Sequence, residues 1–511
     1  MAGSFRYQVL TFIRDCLPGE APSAARIGVY VVLLAVLPLV FRHGWFRVSS
    51  GPLQDDHAIL SMELAINRAF CGGPSRVSPV YRLPYEVRDR PELATVGIRA
   101  LIDQRAGSVT AYCRSVAAPV LNNENSLMWL DSWLWWLWPD MSVEQLGQLL
   151  HRWRVFGLWV FAVVLLYTGW GLITTTVAWV YGLQLLAELQ TLTHSVYPWL
   201  PILLLVTTAA FVVAARAGAS RTIAGALVTG AVIGIWTAFV ANLRTSHLPL
   251  YLAFAVMLFA FGERQRMPTE RPARRWTRLS IAAAMFVVGY MAFAYGAIAR
   301  HLPESDANLP RHTIAHPLVL ALGVPESDLS RREQIRWSDA VGLNVARRID
   351  PAVLYLSPGY ERALFMYYRG LWERHTGEMV GVYVGKAKVT GKAMIAYQRT
   401  RRGGIGWIIG LILGPLDLFP NGLFYFGLYV TVAVVALVLA LRGALWAHVL
   451  AFLASAAVML HLESAIIMSL YIPNYHSYLA FFTVFISIAA MTAAVRLVLD
   501  RVVPRPRLAG A

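Results

Sequence analysis

Charge is what this chain has least of. Asp, Glu, Lys and Arg make up 14% of its 511 residues, where soluble domains carry roughly 25%. Together with 57% hydrophobic residues, that shortage excludes a soluble globular protein. It predicts an all-α polytopic membrane protein. Acids are scarcer still, 29 against 45 basic residues, for a net charge of +16. The bases cluster in short connections between apolar runs: RAGASR at 216–221, ERQRMPTERPARRWTR at 263–278, and RLVLDRVVPRPR near the C-terminus. Short basic loops stay cytoplasmic during insertion, so this excess reads as orientation and no nucleic-acid partner is expected. No nucleotide-binding motif is present either. GVYVGKAKVTGKAM (381–394) lacks the spacing of a phosphate loop and has no Ser or Thr directly after its lysines. Lys386, Lys388 and Lys392 are expected near headgroups or a pyrophosphate-type anion instead.

Apolar runs near the roughly 20 residues that cross a bilayer fall at 28–42, 155–172, 173–190, 197–215, 222–241, 247–262, 277–299, 422–441, 444–462 and 478–497. These ten predict a cytoplasmic N-terminus (1–27), a first span (28–42), a first periplasmic loop (43–153), spans two to seven (154–299) and a second periplasmic loop (300–403). A last section (404–498) holds the final three spans, and 499–511 form a cytoplasmic tail. Arg42, His43 and Trp45 follow the first run where a cleavage site would need small residues, so it reads as an uncleaved anchor. The continuous stretch from 155 to 190 must bend, and Thr174 to Thr176 is the expected place. GIGWIIGLILGPLDLF (404–419), broken by Gly and Pro, reads as re-entrant or interfacial.

There are only three cysteines. Cys71 and Cys113 share the first outer loop, where an oxidising compartment permits a disulfide; buried free thiols are the alternative.

Chemistry concentrates in the outer loops. In GPLQDDHAILSMELAINRAF, Ile59, Met62, Ile66 and Phe70 recur on one helical face, with Asp56, Glu63 and Asn67 on the other. This is the pattern of an amphipathic helix on a membrane surface. One aspartate suffices as an N-cap. The second, of Asp55 and Asp56, is a candidate general base or cation ligand, with His57 and Glu63 beside it. MWLDSWLWWLWPDM (128–141) has the tryptophan density of a membrane interface. Arg244 and His247 occupy a short outer loop, where an arginine either grips a lipid-linked phosphate or snorkels. In the second loop His312 and His316 are four apart, but the glutamate of a zinc H-E-x-x-H signature is absent, so substrate contact or packing is the expectation. Arg336, Trp337 and Asp339 are candidate cavity residues. Tyr475 and His476 precede the last span, and Glu463 lies near the outer end of the span before it.

This layout, one span and then at once an outer loop opening on QDDHAIL, resembles the GT-C fold membrane glycosyltransferases. HTIAHPLVLALG and IRWSDAVGLNVA also look like stretches of uncharacterised members. The resemblance implies sugar transfer from a polyprenyl-phosphate donor to a hydroxyl of a cell-envelope acceptor, at the periplasmic face of a bacterial inner membrane. It also implies that the pair Asp55 and Asp56 supplies the catalytic base or a metal ligand. A divalent cation, magnesium or manganese, is the cofactor such a pair would hold. The large soluble C-terminal domain of several members is missing. Two other readings stand beside it: a flippase or transporter of a lipid-linked substrate, and a non-catalytic polysaccharide assembly protein. Transporters favour ionisable residues at the bilayer midplane, whereas these cluster in loops.

Overall fold

A computed structural model describes residue 10 and residues 27–32, 56–73, 76–119, 125–188, 199–217, 222–243, 272–298, 314–355, 357–400, 422–442, 445–466 and 473–502. The expected span at 247–262 and the segment at 404–419 lie outside these, as does most of 28–42.

Helix α1 (Asp56–Cys71) opens on a carboxylate, which suits the positive end of a helix dipole. It stops at Gly72, whose φ of +68° costs glycine little and whose N–H caps the Arg68 carbonyl. Short helices α2 (Leu83–Asp89), α3 (Ile98–Ala106) and α4 (Val109–Ser115) surround it, with a two-residue antiparallel ribbon pairing β1 (Arg76–Val77) to β2 (Ala118–Pro119). Helix α5 (Asn125–Leu137) packs along α1. The expected surface helix is therefore corrected: α1 is enclosed on both faces. Ile59, Met62 and Ile66 share a core with Leu127, Met128 and Trp135, while Glu63 and Asn67 are also buried. Periodicity marks a helix's polar face without saying whether water, lipid or polar protein groups cover it.

Helix α6 (Val143–Tyr167) starts well before the expected 155, because Ser142 and Gln145 form a reciprocal capping box, a device worth about 1 kcal/mol. The bend also moves. It falls at Thr168–Gly171, where Gly169 and Gly171 take φ of +88° and +74°. The Trp170 N–H reaches the Leu165 carbonyl, and that of Gly169 reaches Leu166, which is a Schellman stop. Thr174 and Thr175 sit inside α7 (Leu172–Glu188), where the Thr175 hydroxyl donates back to Gly171 O at 2.8 Å.

Next come α8 (Trp199–Ala217), α9 (Ile223–Ala241) and α10 (Pro272–Met291), the last continuing as a π-helical stretch, Ala292–Ile298. Gly230 and Gly234 of α9 are a small-xxx-small pair that lets backbones touch. A Cβ at Gly230 would strike the Ala282 carbonyl, and one at Gly234 the Phe286 carbonyl. Both numbers rise together, so α9 and α10 run parallel.

A second core gathers around α11 (Ala315–Leu320), α12 (Asp328–Arg332), α13 (Asp339–Arg347) and the long α14 (Pro358–Thr400). Helix α14 breaks at His375 (φ −133°, ψ 38°). Tyr368 and Tyr383 hydroxyls lie 2.7 Å apart across the break, although fifteen residues of straight helix would separate them by ~22 Å. The two arms fold back on each other. The second arm packs on α15 (Gly422–Leu441), α16 (Leu445–Ile466) and α17 (Pro473–Val502).

Five helical stretches among the described residues are long and apolar enough to cross a membrane: Val143–Tyr167, Ile223–Ala241, Trp276–Gly296, Gly422–Leu441 and Trp446–Ile466. Leu172–Leu183 and Phe485–Leu499 are apolar but shorter. The protein is all-α and membrane-associated.

Both polar regions share one end of these helices. The Ser126 hydroxyl, at the start of α5, donates to Phe239 O at the end of α9. The Trp129 ring meets Phe293 at the end of the parallel α10. Helix α6 starts a few residues after α5, so the α6–α7 turn marks the opposite end. At that opposite end Thr174 bonds Thr492 near the close of α17, and Trp170 meets Trp446 at the opening of α16. The start of α15, the end of α16 and the start of α17 therefore return to the α5 side. There a Cβ at Gly422 would strike the backbone of Ala387 and Lys388.

Candidate active site

The acidic motif is the starting point. Asp55 lies outside the described residues, and Asp56 and His57 are placed by their backbone as the first turn of α1. Asp56, Glu63 and Asn67 fall on one face, since seven residues make two helical turns. Glu63 is fully buried, with the Arg82 Nε 3.5 Å from its Oε2. Burial outweighs that cation and pushes its carboxyl up to about 7, into the range where a general base works at neutral pH. Asn67 extends the network: its amide donates to Arg76 O at 2.8 Å, and its Oδ1 accepts the Tyr112 hydroxyl at 2.5 Å. Burial, and then the Glu63 charge, raise the Tyr112 hydroxyl well above its ordinary range. The guanidinium of Arg82 also lies 3.7 Å over the Tyr85 ring. A disulfide joins Cys71, at the end of α1, to Cys113 in α4, fixing this network from below.

A second buried charged group is one that periodicity does not reveal. Asp131, inside the tryptophan-rich α5, is buried, as are His151 and Arg154 of α6. Asp131 acts on the charge of Arg154, whose Nε donates to Leu150 O and whose guanidinium lies 5.3 Å from the Trp199 ring centre. The available signal was an ionisable residue within an apolar run, which is a functional flag in its own right.

The other predicted residues gather in the second core. His316 is buried; its Nδ1 is 2.7 Å from the Tyr360 hydroxyl and its Nε2 is 3.4 Å from Asp339 Oδ1. The Tyr355 ring packs on both His316 and Tyr360. Burial first, then Asp339, raises the Tyr355 hydroxyl. Glu361 accepts the Ala315 N–H at 3.0 Å. With protein groups at both nitrogens, His316 orients its neighbours, while Asp339 is largely exposed. Trp337 is half-buried beside it, Lys388 is exposed, and Lys386 is buried with its Nζ donating to Ala321 O at 2.9 Å. Glu463 is half-buried near the shared end of α16. Tyr475 and His476 open α17 at that end, but their side chains, like that of Lys392, are not described. Arg244, His247 and His312 lie outside the described residues. The Asp56 helix and the His316 cluster belong to separate hydrophobic cores.

Among the described residues no group of three or more His, Cys, Asp or Glu side chains is arranged to hold a metal ion; the Asp55 and Asp56 carboxylates are outside that set. The chain matches no protein-family model, no curated protein and no solved structure.

Proposed function

We propose that this protein is a membrane glycosyltransferase of GT-C type, with about ten spans, acting at the periplasmic face of a bacterial inner membrane. The observation that supports this most is the shared end. The helix opening on Asp56 is tied through α5 to the ends of α9 and α10, and the α14 arm carrying Lys386 and Lys388 packs at the start of α15, on the same side of the helices. A substrate with a lipid tail and a polar head would meet acid and base there at one depth.

The chemistry needs little more. A sugar on polyprenyl phosphate is already activated. A carboxylate takes the proton from an acceptor hydroxyl as that oxygen forms its bond to the sugar C1. The C1–O bond to phosphate breaks, and polyprenyl phosphate leaves with the electron pair. Basic side chains stabilise the charge on the departing phosphate. Asp56 is the proposed base, Asp55 caps the helix or assists, and Glu63, on the same face, positions the helix. A divalent cation, magnesium or manganese, would be held by the same two aspartates. The acceptor is a cell-envelope glycan, lipid or protein.

The experiment is sugar transfer from a polyprenyl-phosphate donor by purified protein, comparing wild type with Asp55→Asn and Asp56→Asn. Loss of about 100-fold or more in the Asp56 variant is expected, the size of a general-base contribution. Full turnover in both variants, or no transfer from any donor, would end the proposal. Labelling of a cysteine placed at 56 from the cytoplasmic side alone would also end it. Substrate-dependent lipid flipping without transfer would favour the transporter reading.

A further inference from the structure

A cavity of about 540 Å³ lies apart from both clusters, between α12 and α13, within the range of small-ligand sites. Its polar lining is Arg331, Arg336, Arg348, Gln334, Asn344 and Glu326. Three guanidiniums with five N–H donors each, and two amides, line it with the Glu326 carboxylate. Asp328 and Glu333 pair with Arg331 and Arg348 and leave Arg336 as the guanidinium without an ion pair among the described residues. Asp328 holds Arg331, and Glu333 holds Arg348 through its carbonyl at 3.1 Å, so these two guanidiniums are fixed in orientation with donors to spare. Arg336 is exposed. One wall is apolar, from Ile335 and Val345. A donor-rich cavity with one apolar wall fits a ligand rich in acceptors on a ring with an apolar face.

Backbone conformation supplies a second, independent observation. The Gln334 N–H reaches Arg331 O, and that of Ile335 reaches Ser330 O, the two bonds of a Schellman stop. Gln334 thus occupies the left-handed position that glycine normally fills, at φ +54°. A non-glycine residue there is strained, and such strain collects at ligand sites. Glycine would serve the backbone better, and what it would remove is the amide that lines the cavity.

We infer that this cavity binds an acidic saccharide, one carrying a carboxylate or a phosphate. The site does not depend on sugar transfer and is tested by binding alone. Full-length protein in nanodiscs is titrated with a uronic-acid disaccharide, a phosphorylated disaccharide and their neutral counterpart. The expected result is saturable binding of at least one acidic ligand, with the neutral one at least about tenfold weaker, as charge-assisted hydrogen bonds imply. Which acidic ligand binds identifies the group recognised. Arg336→Gln should weaken binding about tenfold or more. Gln334→Gly should raise the melting temperature while weakening binding, which a purely structural residue would not do. Equal binding of neutral and acidic disaccharides, no binding of either acidic one, or wild-type affinity in both variants would overturn the inference.

Discussion

Glu63, fully buried, lies 3.5 Å from the exposed Arg82, and desolvation of the acid exceeds the attraction of the base. The folded protein therefore holds a proton on Glu63 more tightly than the unfolded chain does. A pair of this kind fixes geometry more than it stabilises.

That balance predicts a pH signature. With the folded carboxyl at about 7 and a reference of 4.5, the folded state binds more protons between those values. Stability from this group is present below the reference and falls as pH rises through the window, then levels off above it. The full difference is about 3 kcal/mol at most. Glu63→Gln should melt at a similar temperature to wild type at acid pH and at a higher one at pH 8. A wild-type-minus-variant difference that stays flat from pH 5 to 8 would refute it.

The disulfide between Cys71 and Cys113 spans 42 residues and ties α1 to α4. Replacing both cysteines by serine should cost about 3–4 kcal/mol, the loop-closure value for that length. Thermal melting of the oxidised wild type, the reduced wild type and the double variant measures this. The last two should agree. The same reduction should weaken Asn67 and Tyr112 contacts, seen as faster amide exchange in α1.

Lys386 gives the opposite slope from Glu63. Burial brings its ammonium down to about 7 from 10.5. The Ala321 carbonyl faces it from a neighbouring element and the Tyr383 ring from its own helix. The unfolded chain binds the extra proton between those values, so stability from this group rises with pH from about 7 to about 10. Lys386→Met should abolish that rise and melt higher than wild type near pH 6. Parallel curves for the two proteins across this range would refute it.

Apolar length alone picks out five of the ten expected spans among the described residues, and that much was legible. The runs at 222–241 and 422–441 coincide with α9 and α15 almost residue for residue. The α6–α7 bend was expected a few residues late because threonines were weighed above Gly169 and Gly171, whose positive φ decides it. Burial of Glu63 was not legible, since its cover comes from Arg82 and Tyr112, well along the chain. Nor was the reversal at His375, which lies within a continuous helical run two residues before Gly377 and is closed by the Tyr368–Tyr383 contact. His316 was picked for its spacing from His312 and Asp339 as a candidate cavity residue; their meeting depends on α11 and α13 docking on α14.

Gly342 tests that docking. It lies on α13 where a Cβ would collide with the Tyr360 hydroxyl, the same hydroxyl that lies 2.7 Å from His316 Nδ1. Gly342→Ala must push that hydroxyl away, at a cost of about 1–3 kcal/mol for overpacking. Tyr360→Phe alone removes the hydrogen bond, for about 1–2 kcal/mol. In the double variant the added methyl meets no hydroxyl, so the two costs should fall short of additive by about 1 kcal/mol or more. Melting of the four proteins completes the cycle. Strict additivity would mean that the methyl strikes something other than Tyr360, and the α13–α14 contact would not be what holds His316 beside Asp339.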